Sequence, residues 1–451
     1  MHWGHAVSKD LTHWEHLPIA LYPDSGPKDK MVWGMIWSGS AVVDWKNTSG
    51  FRTGKGPDEV MIAIFTLADD ENNNQRQGIA YSNDRGRTWI KFKKNPVIPN
   101  KGVRDFRDPK VFWHEPTQKW VMIVSDFDRV QFYNSPNLKD WTYTGDFGKD
   151  QGSRGLPREC PDLFQLPVDG DLNNKKWVMT VNVGGMAPHG GSGTQYYIGQ
   201  FDGKTFINDN SPNTTLWLDY GRDNYAGVTW SEYPKNNIQR LFIGWMSNTN
   251  YAGSVPATTF RGAMTLPRTL KLKTLPEGVR LVSQPVPELK DIRHWDKVIK
   301  TENLIISSDW NLLAGKSGKT LEILADFQVD SSTTASEFGF KLRKGGIKET
   351  VVGYVMNTFE MLVDRSKSGH FVFPNDNGKR HTAPLRPIDG KVKLHIFLDW
   401  SSVEVFGNDG RNTITDAIFP PENATAIELY ALKGNVKLIS LVIYELRSIY
   451  G

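Results

Sequence analysis

The chain has 451 residues, a formal net charge of +4, 23% charged and 39% hydrophobic residues, and one cysteine, Cys160. That length predicts two or three domains with buried cores. Lys and Arg residues are dispersed without a basic run, which excludes the electrostatic footprint of a nucleic-acid-binding protein. No apolar stretch approaches the roughly 20 residues that span a bilayer, and a single cysteine excludes an intrachain disulfide.

Short apolar runs rich in β-branched residues recur along the chain and predict an all-β fold. Each run is bounded by Gly, Pro, Asn or Asp, as strands commonly are. Examples are residues 60–65, 120–124, 177–181 and 241–245. No stretch of a dozen residues keeps a 3.6-residue period, so we expect helices to be few and short.

A degenerate repeat in the first half predicts the hairpins of β-propeller blades. Residues 8–14, 82–89 and 135–141 each begin with Ser, contain a turn-forming Asp or Asn, and end with Trp. The copies begin 74 and then 53 residues apart, which suits four-stranded blades. Three unrelated turns are the alternative interpretation.

The sequence changes character near residues 281–295, where prolines interrupt the strand pattern. Alternating strands then continue to the end, for example at 321–327 and 393–406. About 155 residues of this kind are typical of a β-sandwich. The predicted organisation is a propeller over 1–283, a linker over 284–295 and a sandwich over 296–451.

Two acidic motifs are the candidate chemistry of the chain. Arg107-Asp108-Pro109 interrupts an apolar strand, and Glu159-Cys160-Pro161 begins another. Taken singly, each motif is also compatible with an ordinary ion pair at a strand edge.

Together, the two motifs resemble the hallmark triplets of glycoside hydrolase family 32, which includes invertases, inulinases and levanases. Further segments similar to the family run almost to the C-terminus. They are Trp3-Gly-His-Ala, Trp37-Ser38-Gly39-Ser40, the run from Asp219 to Ala226, Gly244-Trp-Met-Ser-Asn, Met264-Thr-Leu-Pro-Arg and the run from Ser401 to Gly410. The resemblance implies a five-bladed β-propeller followed by a β-sandwich.

The resemblance also implies roles for single residues in a retaining glycosidase, which needs two carboxylates. Glu159 matches the acid/base, and Asp108 matches the acid that binds fructose hydroxyls and stabilises the transition state. Arg107 is expected to bind sugar and to hold Glu159 in the right charge state. Further candidates for the fructose pocket are Trp37, Ser38, Trp245 and Tyr225. No cofactor is expected, and the scattered histidines predict no metal site.

The family nucleophile has no counterpart in the 451 residues. In the family it is the Asp of an Asn-Asp-Pro-Asn-Gly motif that precedes the Trp-Gly-His-Ala segment, yet here the only Asp-Pro pair is Asp108-Pro109. We expect the nucleophile and the inner strands of the first blade to belong before residue 1, so that the first blade is incomplete. The chain as written is then expected to be a poor catalyst. By resemblance, secretion is expected without a visible signal peptide.

Three functions are compatible with these features. The first is a β-fructofuranosidase that releases fructose from the non-reducing ends of levan or inulin, or from sucrose. The second is a pseudoenzyme that binds carbohydrate in a retained fructose pocket. The third, a five-bladed arabinan-cleaving furanosidase, fits the Glu159-Cys160-Pro161 motif and the following sandwich less well.

Overall fold

The computed structural model describes residues 1–23, 34–54, 59–68, 74–231, 238–309, 311–369, 371–374, 376 and 380–450. Within these ranges the chain forms thirty β-strands and two short 3-10 helices, Glu115–Thr117 and Pro287–Ile292. The prediction of an all-β fold with few, short helices is therefore confirmed. No helix in this part of the chain is long and apolar enough to cross a membrane.

The chain divides into two compact units. The first unit comprises Met1–Gly185, Gln195–Leu216 and Ala226–Leu241. The second comprises Met186–Thr194, Trp217–Tyr225 and Phe242–Gly451.

The first unit is built from antiparallel sheets in which sequence neighbours pair. A two-stranded sheet is followed by three groups of four strands in the orders β3-β4-β5-β6, β7-β8-β9-β10 and β11-β12-β13-β14. Their bounds are β1 Trp3–Ser8, β2 Trp14–Leu21, β3 Met35–Asp44, β4 Val60–Ala68, β5 Gln75–Ser82, β6 Ile90–Lys91, β7 Phe106–His114, β8 Lys119–Asp126, β9 Arg129–Ser135, β10 Thr142–Phe147, β11 Arg158–Val168, β12 Asp171–Val183, β13 Gly193–Phe201 and β14 Phe206–Asn208. This repeated four-stranded meander is the arrangement expected of propeller blades.

Strand β8 explains why the central strands appear as continuous apolar runs. Trp120, Met122 and Val124 pack into one buried cluster with residues of β3, β4, β5 and β7. The alternate residues Val121 and Ile123 pack into a second cluster with residues of β9 to β14. Because side chains of a strand point alternately to the two faces, a sheet covered on both sides needs apolar residues at every position.

The three repeat copies form hairpin turns between β1 and β2, β5 and β6, and β9 and β10. Each turn is closed by its own polar side chains. The Asp10 Oδ1 atom accepts the backbone N–H of Thr12 and the Asn137 Oδ1 atom accepts that of Lys139, at 2.9 and 3.0 Å. Asp84 likewise accepts the N–H of Thr88 at 2.9 Å. The predicted common plan of the repeat is therefore confirmed.

Strands β15 to β30 follow and include those of the sandwich. Their bounds are β15 Leu216–Trp217, β16 Tyr225–Thr229, β17 Arg240–Trp245, β18 Arg268–Leu275, β19 Gly278–Pro285, β20 Arg293–Ile306, β21 Leu321–Gln328, β22 Glu337–Gly345, β23 Lys348–Val355, β24 Glu360–Asp364, β25 His381–Pro384, β26 Lys391–Asp399, β27 Ser402–Gly407, β28 Asn412–Ala417, β29 Ala426–Leu432 and β30 Val436–Leu446. Residues 284–295 hold the end of β19, the second 3-10 helix and the start of β20. The domain boundaries drawn from sequence stay predictions.

Two sheets of the second unit enclose one apolar core. Their strand orders are β20-β30-β21-β26-β27-β28 and β25-β24-β23-β22-β29. Phe327 of the first sheet and Phe338 of the second are completely buried, with ring centroids 4.7 Å apart. A core cluster contains inward-facing residues from both sheets, as in a β-sandwich.

A buried ionic network also lies in the second unit. Arg365 donates through Nη1 to Asp223 at 2.6 Å and through Nε to Asp376 at 2.9 Å. The two nitrogens of His381 lie 2.7 Å from Asp416 and 2.9 Å from Asp376. Burial alone would lower the pKa of His381, but the charge of Asp416 and the two hydrogen bonds outweigh it and raise the pKa to about 9.

This raised pKa makes the stability of the protein depend on pH. Because the pKa of His381 is about 9 when folded and 6.5 is its ordinary value, protonation stabilises the fold fully below about pH 6.5. That contribution, up to about 3 kcal/mol, is lost as the pH rises through about 9. We expect the difference in unfolding free energy between wild type and His381→Gln, measured with urea, to shrink from pH 6 to pH 9.5. A difference that stays constant over this range would contradict the assignment.

Candidate active site

The same irregularity occurs in the first strand of each of the three four-stranded groups. In β3 the register with β4 shifts between Ile36 and Gly39. Strands β7 and β11 shift likewise at the two acidic motifs, between Arg107 and Lys110 and between Glu159 and Asp162. Two residues are left out of the ladder each time, and such bulges change the direction in which side chains point.

Left-handed backbone conformations mark two of these bulges. Asp108 has φ +64° and Cys160 has φ +42°, which is uncommon for residues other than glycine. The surrounding structure stabilises both. The Asp108 N–H donates to Thr66 Oγ1 at 2.9 Å, and Asn182 Nδ2 donates to the Cys160 carbonyl at 3.0 Å.

Arg107 and Glu159 form a direct ion pair across the two motifs. Arg107 donates from Nη2 at 2.9 Å and from Nε at 3.2 Å to Glu159 Oε1. The Arg107 side chain is 10% exposed, whereas that of Glu159 is 21% exposed. Glu159 is therefore accessible to a ligand, while the buried Arg107 guanidinium fixes its position.

Asp108 is a buried carboxylate beside this pair. It is 6% exposed, and its Oδ2 accepts the Cys160 N–H at 3.0 Å and lies 3.9 Å from Arg107 Nε. Burial raises the pKa of Asp108 to about 6, and the charge of Glu159 adds to this, while the Cys160 hydrogen bond and Arg107 oppose it. Near neutral pH this carboxyl is therefore mainly an anion held rigidly in place.

Cys160 contributes its backbone rather than its thiol. Its Sγ lies 3.5 Å from Asp108 Oδ2. Burial raises the pKa of the Cys160 thiol well above its usual value, and the charges of Asp108 and Glu159 raise it further. A thiol in such surroundings is a poor nucleophile.

A second buried pair, Lys110 and Asp162, lies at the end of both bulges. Asp162 is completely buried, and its Oδ2 accepts both the N–H and the hydroxyl of Thr229 at 2.7 Å and lies 3.2 Å from Lys110 Nζ. Lys110 and Asp162 close the two bulges, so this pair fixes β7, β11 and β16 next to the candidate acids.

A cavity of about 1050 Å³ in the first unit lies further along β7. Its lining includes Lys110 and Asp162 but none of Arg107, Asp108 and Glu159. The size of this cavity is therefore no reason to place the reaction in it, because the candidate acids do not line it.

Comparison with known sequences decides the family. The profile of the glycosyl hydrolases family 32 N-terminal domain matches residues 1–285, and that of the family 32 C-terminal domain matches residues 288–445. The chain belongs to glycosyl hydrolase family 32. The prediction from the two acidic motifs is confirmed at this level, and so is a β-propeller followed by a β-sandwich.

Individual members of family 32 resemble the chain over its whole length. A levanase of Bacillus subtilis (strain 168) is 55% identical over 100% of the chain, which spans 65% of that relative. An extracellular exo-inulinase of Aspergillus awamori is 37% identical over 100% of the chain and 87% of its own length. A solved fructofuranosidase of Schwanniomyces occidentalis complexed with fructose has 30% identity and a TM-score of 0.86, covering 99% of this chain and 89% of that one.

The structure places the predicted site residues in three groups. Arg107, Asp108 and Glu159 are in contact with one another or with shared partners in the first unit, as described above. In the second unit, buried Tyr225 and half-buried Trp245 lie with ring centroids 6.5 Å apart. Their roles in the family 32 reaction stay predictions.

The other two predicted pocket residues lie in the β3 bulge of the first unit. Trp37 is half-buried and Ser38 exposed. The Trp37 carbonyl accepts the Trp3 Nε1–H at 2.8 Å, which joins the bulge to β1.

Two residues that contact Arg107 were not predicted from the sequence. Asp105 accepts a hydrogen bond from Arg107 Nη1, and Gln75 Oε1 accepts one from the same nitrogen at 3.1 Å. Asp105 lies in a turn with φ +53°, two residues before Arg107, so the alternation of side chains along a strand does not indicate the contact. Gln75 comes from β5, and nothing in its local sequence indicates the contact.

The described residues contain no group of three or more His, Cys, Asp or Glu side chains that could hold a metal ion.

Proposed function

We propose that this family 32 chain forms the fructose site of a retaining β-fructofuranosidase, which releases fructose from the non-reducing ends of levan or inulin, or from sucrose. The observation that carries the proposal is the Arg107–Glu159 ion pair beside the buried carboxylate Asp108. The names of the relatives, a levanase, an exo-inulinase and a fructofuranosidase complexed with fructose, support the substrate class.

Glu159 is proposed as the acid/base. A retaining reaction needs one group that protonates the leaving oxygen and later removes a proton from water. Glu159 is partly exposed, and Arg107 donates two hydrogen bonds to its Oε1. The guanidinium stabilises the carboxylate after it has given up its proton, and this suits a residue that must alternate between the two states.

Asp108 is proposed to bind fructose hydroxyls and to stabilise the positive charge that develops on the sugar. An anion preorganised by a backbone N–H needs little reorganisation when that charge appears. Trp37, Ser38, Tyr225 and Trp245 are further residues proposed to bind fructose. The domain boundaries at 283 and 296 and secretion are also proposals, supported by the two family matches and by the extracellular exo-inulinase.

The nucleophile must be tested separately, because no Asn-Asp-Pro sequence occurs in the 451 residues. We propose that the 451-residue chain by itself is a poor catalyst. A chain extended at its amino end by a family 32 segment that carries Asn-Asp-Pro-Asn-Gly, called the extended chain below, is the form expected to hydrolyse.

The test is sugar release from sucrose, inulin and levan by both forms. We expect the extended chain to release fructose and the 451-residue chain to release very little. An extended chain that binds these sugars but releases no fructose would favour the carbohydrate-binding pseudoenzyme. Release of arabinose from arabinan instead would overturn the substrate class.

A further inference from the structure

The Arg107 guanidinium is shared by more anions than the proposed reaction requires. Glu159 contacts Nε and Nη2, Asp108 lies 3.9 Å from Nε, and Asp105 accepts from Nη1. Gln75 adds a neutral acceptor to Nη1. One buried cation thus interacts with three carboxylates.

We propose that Asp105 is a positioning residue that holds Arg107 and thereby sets the pH range over which Glu159 keeps its proton. The inference rests on the proposed function, since it concerns the acid of that reaction. Asp105 itself is expected to touch no substrate and acts only through Arg107.

The physical basis is electrostatic repulsion between the carboxylates that surround one guanidinium. The attraction between charges grows as water is excluded, and the Arg107 and Asp105 side chains are only 10% and 14% exposed. Without the charge on Asp105, one anion that opposes the field of Arg107 at Glu159 and Asp108 is lost. That loss favours the ionised form of Glu159.

The other titratable groups near the cluster do not replace Asp105. Burial raises the pKa of the Cys160 thiol, so that group stays neutral. Arg104 Nε lies 3.2 Å from Asp105, but its side chain is 76% exposed and therefore well screened by water.

Asp105→Asn is the most informative substitution. Asp105 has φ +53°, and Asn adopts this left-handed conformation at least as well as Asp, so the backbone is not strained. The amide oxygen can still accept from Arg107, so that mainly the charge is removed. Arg104→Gln is the matched control, because it changes a charge that touches Asp105 at the surface.

The experiment is a carbon-13 NMR titration of labelled Glu carboxyl groups in the 451-residue chain, with the Glu159 signal assigned from Glu159→Gln. We expect the titration midpoint of Glu159 to fall by about half a pH unit in Asp105→Asn, and to change little in Arg104→Gln. An unchanged midpoint in Asp105→Asn would overturn the inference.

A second readout uses the extended chain. The alkaline limb of its pH–rate profile should move to lower pH in Asp105→Asn, with the rate at the acidic end preserved. A purely structural role would lower the rate equally at all pH values and overturn the inference. If the wild-type extended chain released no fructose, the proposed function would fail, while the NMR titration would still decide the role of Asp105.

Discussion

Replacing Glu159 by Gln is expected to lower the rate of fructose release by the extended chain about a thousandfold, within the range that general acid–base catalysis contributes. Gln keeps an oxygen that can accept from Arg107 Nε and Nη2, so the 2.9 and 3.2 Å contacts can persist. It cannot supply or take up the proton. Binding of fructose should therefore change little, and steady-state kinetics together with calorimetric titration separate the two effects.

The matched control for this substitution is Glu277→Gln. Glu277 is also ion-paired with an arginine, Arg411, at 2.5 Å, but in the second unit. Its replacement is expected to leave turnover near the wild-type value. Unchanged turnover in Glu159→Gln, or an equal loss in both variants, would remove Glu159 from the role of acid/base.

Replacing Arg365 by Met is expected to lower the free energy of unfolding by about 3–5 kcal/mol, the usual cost of removing one partner of a buried ion pair. The Arg365 side chain is 1% exposed and donates to Asp223 and Asp376. Burial raises the pKa of Asp223, opposed by the charge of Arg365. Without the arginine, the carboxylates at this centre lose a buried cation that solvent cannot replace.

Arg380→Met provides the comparison for Arg365→Met. Arg380 also pairs with two carboxylates, Glu337 and Asp364, but its side chain is 44% exposed. Because water screens exposed pairs, its replacement should cost less than about 1 kcal/mol. Urea unfolding of both variants measures the difference, and equal costs would show that burial of the Arg365 network contributes nothing.

The sequence predicted the parts of the fold that follow from local patterns. The Ser, Asp and Trp spacing of residues 82–89 predicted a hairpin because the turn is closed by its own side chains, such as Asp84 to Thr88 at 2.9 Å. The apolar run at 120–124 predicted a strand, and the structure shows that both of its faces are covered. Such features need no knowledge of distant residues.

The geometry of the candidate site depended on distant residues and was not predictable in the same way. Asp108 was selected by resemblance, but its left-handed backbone depends on Thr66, 42 residues earlier. The Arg365 network joins residues 223, 365, 376, 381 and 416, whose separation in sequence hides their proximity. A pattern of neighbouring residues contains no information about contacts between residues so far apart in the sequence.

A crystal structure of the 451-residue chain grown with fructose tests the central claim most directly, because it shows where the sugar binds without requiring turnover. We predict one fructose with hydroxyls within hydrogen-bond distance of Asp108 and with the Glu159 carboxyl facing its anomeric oxygen. Fructose bound elsewhere, such as in the 1050 Å³ cavity along β7, with no contact to Arg107, Asp108 or Glu159, would contradict it.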